Sequence, residues 1–330
     1  MKRIWIAWEK QNRTLNMSKI VGAELYIFNY DNKPFLRYFL CMFFSLLQMI
    51  KCHNAIVFVQ NPSVFLAIEA CILKKIFSFK VVVDRHSNFM LGQVNKKSPK
   101  YFLFHLLSNY SLKHADITIV TNNQIAKRVT AAGGNAIILP DPLPDLTKFS
   151  TVTNDLQKST VFSILFPSSW ANDEPISEVV EVCRLLQKEI VVYVTGKPKS
   201  KYEKLLKNIP PNFVCTGYLT DSEYFSLMAR CHVVMPLTTF PELLVCGGYE
   251  GVSLDKPLLL GDTPTLREYF YKGTVFTKCE IDELYNSIIY ARANYHILKG
   301  QVLELHKELL LEWPKILNKF NCAIANMFKR

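Results

Sequence analysis

The sequence predicts an α/β protein built from two doubly wound parallel sheets in tandem, and three features of its 330 residues carry that prediction. Short apolar runs of strand length alternate with helix-length segments along nearly the whole chain, the pattern of parallel sheets covered on both faces. The alternation is interrupted once, at Leu139-Pro-Asp-Pro-Leu-Pro-Asp-Leu-Thr-Lys148 and the polar stretch after it, where three prolines at alternate positions forbid regular structure. A chain this long also exceeds the usual size of one hydrophobic core.

The first series has strand-like runs at 4–8, 55–60, 80–84, 117–121 and 136–139, with helix-length segments at 35–51, 62–76, 100–113 and 123–132. The second has strands at 162–166, 190–195, 213–216, 232–237, 257–260 and 274–276. Its helices fit 175–187, 200–208, 221–229, 248–254, 263–270 and 281–311. Each series is a Rossmann-like unit. The expected domains are therefore 1–145 and 161–311, joined by a linker at 146–160 and followed by a C-terminal helix at 312–330. Ligands of such sheets sit outside the carboxyl ends of the strands, so the loops after strands are where chemistry is sought.

Composition narrows the partners. A hydrophobic content of 49% with only 12 glycines reads as globular throughout. The nine cysteines are scattered singly, with no Cys-x-x-Cys pair and no His/Cys cluster at zinc spacing, which predicts a reducing cytosol and no metal site. The opening apolar run is too short for a signal peptide, and the segment 38–50 falls short of the roughly 20 residues a membrane span needs. A charge of +11 calls for an anionic partner: nucleic acid, an acidic membrane surface or a phosphorylated ligand. Basic residues are dispersed and no aromatic-basic signature is present, so nucleic acid is the weakest of the three. The segment 35–51 confines Arg37, Ser45, Gln48 and Lys51 to a narrow stripe, with large apolar residues around the remainder. Such a helix is deeply buried or half sunk in a membrane interface, and 96–104 repeats the theme. The expected location is the cytoplasm, with peripheral contact at an anionic membrane face.

Several loops after strands carry candidate groups. Pro241-Glu242-Leu-Leu-Val-Cys-Gly247-Gly248-Tyr249-Glu250 joins two carboxylates eight positions apart to a glycine pair opening a helix. A helix start can seat a phosphate while glutamates accept bonds from hydroxyls; a surface loop and a core helix are the plain alternative. Ser168-Ser169-Trp170-Ala-Asn-Asp173-Glu174-Pro175 offers two hydroxyls before a helix that Asp173 can cap, or is an ordinary capped loop. Thr195-Gly196-Lys197 ends a strand with close backbone approach and a charge for phosphate, or with a solvated lysine. Gly217-Tyr218-Leu219 is a turn able to offer backbone groups to a nucleobase, or only a turn. In the first unit, Asp84 and His86 stand two apart at a strand end and face the same side, placed to reach one hydroxyl as a base; a capping Asp and a packed His are the alternative. Glu9, Lys10 and Arg13 follow the first strand, where acceptor or phosphate contacts are possible.

With these residues in view, the chain resembles glycosyltransferases of the GT-B architecture, and more narrowly the large retaining group called family 4. That likeness covers essentially the second domain. The signature of two glutamates separated by seven residues, before a Gly-Lys-Pro-like strand entry, corresponds to Glu242, Glu250 and Asp255-Lys256-Pro257. The chain is also similar to the β-mannosyltransferases that extend chitobiosyl-diphosphodolichol and to their bacterial polysaccharide relatives. Asp84-Arg85-His86-Ser87-Asn88, Ser168-Ser-Trp-Ala-Asn-Asp173-Glu174, Gly196-Lys197 and Gly247-Gly-Tyr-Glu250 carry it. Arg85 departs from the aromatic of that group, and no glycine-rich loop follows the first strand.

The resemblance implies two Rossmann-like domains with a cleft between them, the first for the acceptor and the second for the nucleotide sugar, with the last helix returning to the first domain. It implies transfer from a UDP- or GDP-sugar to a lipid-linked saccharide without metal or cofactor, in polysaccharide or glycan biosynthesis. Glu242 would touch the donor sugar, Glu250 the ribose, and Ser168, Ser169, Lys197, Gly247 and Gly248 the diphosphate. Trp170, Gly196, Gly217, Tyr218, Leu219, Thr238 and Tyr249 complete the donor side; Glu9 and Arg13 serve the acceptor. The two likenesses differ on whether the anomeric configuration is retained or inverted. A base role falls to Asp84 or His86 on inversion; on retention, His86 would steady the donor sugar. The rivals are a sugar-nucleotide epimerase of the same architecture and an inactive membrane-tethered partner. A dinucleotide dehydrogenase is disfavoured, since no Gly-x-Gly-x-x-Gly follows the first strand.

Overall fold

A computed structural model of the chain describes residues 1–30, 36–61, 63–86, 98–149, 161–186 and 189–328. The expectations for Phe35, Pro62, Ser87, Asn88, Lys96, Gln187 and linker positions 150–160 lie outside these residues. The chain divides into two compact units, Met1–Asp141 with Pro314–Arg330, and Pro142–Trp313.

The first unit runs β1 (Arg3–Ala7), α1 (Asn12–Ile20), β2 (Glu24–Ile27), α2 (Arg37–Ile50), β3 (Ile56–Asn61), α3 (Val64–Leu73), β4 (Lys80–Arg85), α4 (Pro99–His114), β5 (Ile117–Val120), α5 (Asn123–Ala131) and β6 (Ala136–Ile138). Its sheet is ordered β2-β1-β3-β4-β5-β6 and is parallel throughout. The β1, β3 and β4 strands are continuous apolar runs because helices cover both faces. One face packs Ile4, Ile6, Val57 and Val59 on Leu66, Ala67 and Ala70 of α3. The other stacks Trp5 on Phe58, with ring centroids 5.1 Å apart, beneath Phe320 and Ile324 of the C-terminal helix. Local signals fix helix starts: the Ser98 hydroxyl accepts from the Tyr101 N–H with Pro99 in the first turn, and Asn122 accepts from the Ile125 N–H.

The α1 and β2 elements are absent from the sequence expectation. Most of α1 is polar, and it buries Arg13, Thr14 and Ser18 beside Met17, so no apolar period betrays it. The edge strand β2 is half exposed and reads as a loop.

The second unit runs β7 (Phe162–Phe166), α6 (Ile176–Leu185), β8 (Ile190–Thr195), a 3₁₀ turn (Ser200–Tyr202) leading into α7 (Glu203–Leu206), β9 (Phe213–Gly217), α8 (Asp221–Arg230), β10 (Val233–Val234), α9 (Cys246–Ser253), β11 (Leu258–Gly261), α10 (Pro264–Tyr269), β12 (Thr274–Thr277), α11 (Ile281–Ala293) and α12 (Tyr295–Asn326). Its parallel sheet is ordered β12-β11-β10-β7-β8-β9. Successive strands step outward from β7 to β9, then return to β10 on the other side of β7. The order therefore reverses between β7 and β10, and a ligand crevice belongs outside their carboxyl ends.

Two expected elements change here. The strand placed at 232–237 shrinks to Val233–Val234, since Pro236 has no N–H to continue a ladder. The helix placed at 281–311 breaks at Asn294, whose side chain bonds back to the Tyr290 carbonyl. The helix that follows continues through Pro314 to Asn326. Within it Val302 and Leu305 belong to the second unit's core, and Phe320 and Ile324 to the first unit's.

Candidate functional site

The reversal of strand order in the second unit opens a cavity of about 450 Å³. One wall is the loop after β7, with Pro167, Ser168, Ser169, Asp173 and Glu174; the other is the segment after β10, with Pro236 to Thr238 and Leu243 to Val245. The first turn of α9, through Cys246, Gly247 and Glu250, closes the end together with Tyr224 of α8. Five of the sequence-derived donor residues meet here: Ser168, Ser169, Thr238, Gly247 and Glu250.

Glu250 lies half-buried with Oε2 accepting from the Tyr224 hydroxyl at 2.6 Å. Burial pushes the Glu250 carboxyl above its usual range; the Tyr224 bond opposes that, and Asp221 adds to it. The same burial and the facing carboxylate hold the Tyr224 phenol protonated. Tyr224 thus donates to Oε2 and leaves the other carboxylate oxygen for a ligand.

The loop after β7 departs from the sequence expectation. Its hydroxyls and N–H groups converge on one internal carboxylate. Glu174 accepts from the Ser168 hydroxyl at 2.6 Å, the Ser169 N–H at 3.0 Å, the Ser169 hydroxyl at 2.9 Å and the Ala171 N–H at 3.2 Å. The seat expected for a phosphate is filled by the chain itself. Asp173 does not cap α6: Pro175 holds the N-cap position without a side-chain bond, and Asp173 turns instead to Thr238, whose hydroxyl donates to Oδ2 at 2.7 Å.

Trp170 is fully buried, donates from Nε1 to the Thr195 carbonyl at 2.9 Å and packs edge-on against Tyr202. Its backbone is left-handed at φ 57°, an uncommon conformation for a bulky residue. It therefore anchors the loop and does not line the cavity. Gly196 has φ 82°, and a side chain there would collide with the Ser168 carbonyl, so this glycine lets β8 approach the loop.

The remaining donor candidates scatter. Gly248 packs against Phe270, where a Cβ would lie 2.7 Å from the ring, so its role is close helix contact. Tyr249 is buried against the Tyr269 and Phe270 rings. Lys197 is exposed and off the cavity lining, as is Tyr218 at 84% exposure. Gly217 ends β9 and accepts from the Gly196 N–H, while Leu219 lines a separate hollow along α8. Glu242 is half-buried in the loop before α9, whose next three residues line the cavity. The Lys256 of the Gly-Lys-Pro-like entry is buried and donates to the Ala229 carbonyl, a structural latch. Among the described residues, no three His, Cys, Asp or Glu side chains cluster to hold a metal ion.

In the first unit, Asp84 is fully buried at the end of β4. Arg13 donates to it from Nε at 3.1 Å and Nη2 at 2.9 Å, while Nη1 reaches Asp141 at 2.8 Å and Nη2 also bonds the Leu139 carbonyl. Burial opposes the charge of Asp84, but Arg13 and then His86 outweigh it and hold the carboxyl at about 2. Burial likewise works against Arg13, and the two carboxylates more than offset it, so its proton is held harder than usual. Two expectations are corrected: a carboxylate held this low is a poor base, and Arg13 ties strand ends together, with four of its five N–H groups engaged by Asp84, Asp141 and the Leu139 carbonyl. His86 sits partly exposed, with Nδ1 3.7 Å from Asp84. Glu9 pairs with Arg37 at 3.2 Å, and its N–H donates to Gln60.

No protein-family model matches the chain, and no curated protein matches it in sequence. Solved structures match its fold. HepE of Anabaena, crystallised with UDP, aligns at a TM-score of 0.72 and 12% identity over 98% of this chain and 100% of that one. Sucrose-phosphate synthase from Thermosynechococcus elongatus aligns at 0.78 and 13% identity over 100% of both chains. The lipopolysaccharide outer core galactosyltransferase WaaB, in its apo form, aligns at 0.67 and 14% over 99% of both. These are two-domain GT-B glycosyltransferases, and the fold of this chain is GT-B.

Proposed function

We propose that this chain is a glycosyltransferase that moves a sugar from a nucleoside diphosphate sugar to an acceptor hydroxyl. The observation that carries the reading is the cavity at the β7/β10 reversal, whose walls present Thr238, Glu250 and the first turn of α9 together. Its position is where an open parallel sheet takes ligands. HepE, of the same fold, was crystallised with UDP and with UDP-glucose, which supports a nucleotide-sugar donor.

In this scheme Glu250 receives the ribose hydroxyls, its geometry fixed by Tyr224, and Glu242 meets the transferred sugar. Negative charge gathers on the leaving diphosphate, and the positive end of α9 at Cys246 and Gly247 is the cavity feature suited to meet it. His86 of the first unit takes the acceptor's proton if the reaction inverts, with the Asp84 carboxylate 3.7 Å from its Nδ1. The acceptor is a lipid-linked saccharide. This part of the reading is supported by the outer faces of α2 and α4 and the turn after α3, where Tyr38, Phe39, Phe43, Ile76, Phe102 and Leu106 are 46–73% exposed. A face that apolar on a chain of charge +11 suits an anionic bilayer.

The test is release of nucleoside diphosphate from UDP- and GDP-sugars, with and without added lipid-linked saccharide. The reading expects acceptor-dependent release that Glu250→Ala abolishes while the circular dichroism spectrum stays unchanged. Acceptor-independent conversion of the donor would point to an epimerase, and no binding of any nucleotide to an inactive partner.

A further inference from the structure

One buried group of the second unit has no part in that scheme. Asp173 is 8% exposed and is fixed on several sides. The Thr238 hydroxyl donates to Oδ2 at 2.7 Å, and the Asp173 backbone oxygen accepts from the Thr239 N–H at 2.9 Å and from the Thr239 hydroxyl at 3.1 Å. Its other carboxylate oxygen, Oδ1, is buried and accepts no hydrogen bond from the protein. A buried acceptor without a donor is unfavourable and rare in native folds, so each one has a reason. Asp173 lines the cavity at the strand reversal, where an open sheet takes ligands, and also a smaller hollow of about 250 Å³ at the start of α6.

The neighbouring acid makes the contrast. Both oxygens of Glu174 are saturated by loop donors, whereas Asp173 keeps one acceptor in reserve. The charge of the lining sets what that acceptor can meet. Asp173, Glu174 and Glu250 all face the cavity, and no lysine or arginine among the described residues lines it. Phosphate oxygens against the loop after β7 would face the carboxylates of Asp173 and Glu174, while a hydroxyl hydrogen would find the open acceptor of Asp173.

We propose that Asp173 is a specificity-determining residue whose Oδ1 accepts a hydrogen bond from a hydroxyl of the bound nucleotide sugar, so that this wall reads hydroxyls and the diphosphate lies away from it. The inference rests on the donor reading above. A site built to accept from a hydroxyl rejects the analogue that lacks it, because its own buried group is then left unpaired.

Calorimetric titration of wild type and Asp173→Asn with UDP, 2′-deoxy-UDP and UDP-glucose tests this, with the GDP series run in parallel. The amide keeps the shape and the Thr238 contact but turns an acceptor into a donor in one of its two orientations. A loss of tenfold or more for UDP in the variant, matched by equally weak 2′-deoxy-UDP binding to wild type, places the hydroxyl on the ribose. UDP binding within twofold, with a tenfold loss for UDP-glucose, places it on the sugar. Unchanged affinity for all ligands, or tighter binding of all, overturns the proposal, the second because it would put phosphates against Asp173. If Asp173→Asn does not fold, Thr238→Val, which releases the Asp173 anchor, is judged by the same outcomes. If wild type binds neither nucleotide series, the donor reading itself is wrong, a result separate from the others.

Discussion

Arg13 shows how far a residue's role can lie from its place in the sequence. It follows the first strand, where a ligand contact is a natural reading, yet its partners Asp84 and Asp141 stand 71 and 128 positions away. No local pattern encodes that clamp, whereas Glu174 fills the seat its own loop offers through partners three to six positions away. Removing Arg13 strands two carboxylates, one fully buried, so Arg13→Ala should cost about 3–5 kcal/mol in urea unfolding. Asp84 also gives the clamp a pH signature. Its folded value near 2 lies below the unfolded value near 4, so its contribution is complete above about pH 4 and is lost as pH falls towards 2. The wild-type acid limb between those values should be steeper than that of Arg13→Ala, and identical limbs would contradict the pairing. Asp84 and His86 do meet at the strand end as their spacing suggests, 3.7 Å apart, but the pair divides into a carboxylate ion-paired with Arg13 and a partly exposed imidazole.

Elements were legible where burial leaves an apolar period and illegible where it does not. The apolar runs of β3, β4, β7 and β8 read directly as strands, while polar α1 and half-exposed β2 left no period to find. The glycines of α9 looked like a phosphate seat, and the structure separates them. Gly247 lines the cavity, whereas Gly248 and Gly251 let the helix press on Phe270, Val234 and Leu258. Gly248→Ala should therefore destabilise the protein by about 1–3 kcal/mol through overpacking. Gly300, inside α12 with nothing within 4 Å of its would-be Cβ, provides the opposite case. Gly300→Ala should stabilise by about 0.4–1 kcal/mol, since alanine restricts the unfolded chain without strain in the helix. Chemical denaturation of the pair checks both signs. The outer face of α2 makes its own prediction: Phe39→Ser with Phe43→Ser, at positions 69% and 46% exposed, should leave the melting temperature in place. Sedimentation with phosphatidylglycerol vesicles should fall sharply in that variant, and undiminished sedimentation would remove this face from membrane contact.

At the scale of the molecule, the tandem α/β organisation follows from alternation and from the proline break, because both report on many residues at once. Each sheet's strand order is not encoded so directly, and it is the reversal between β7 and β10 that turns a set of loops into one cavity. The sequence located that cavity's parts, Ser168, Thr238, Gly247 and Glu250, without distinguishing them from Trp170 or Tyr249, which the core claims. The central claim is that this cavity binds a nucleoside diphosphate sugar, and a ligand of the folded state raises the melting temperature by mass action. The most direct measurement is thermal unfolding of wild type and Glu250→Ala with UDP, GDP, ADP and TDP. At about 100 times its dissociation constant a bound nucleotide adds about 2.7 kcal/mol, a shift of several degrees. The account predicts such a shift for one base in wild type and its loss in Glu250→Ala; no shift with any of the four, or an equal shift in the variant, would contradict it.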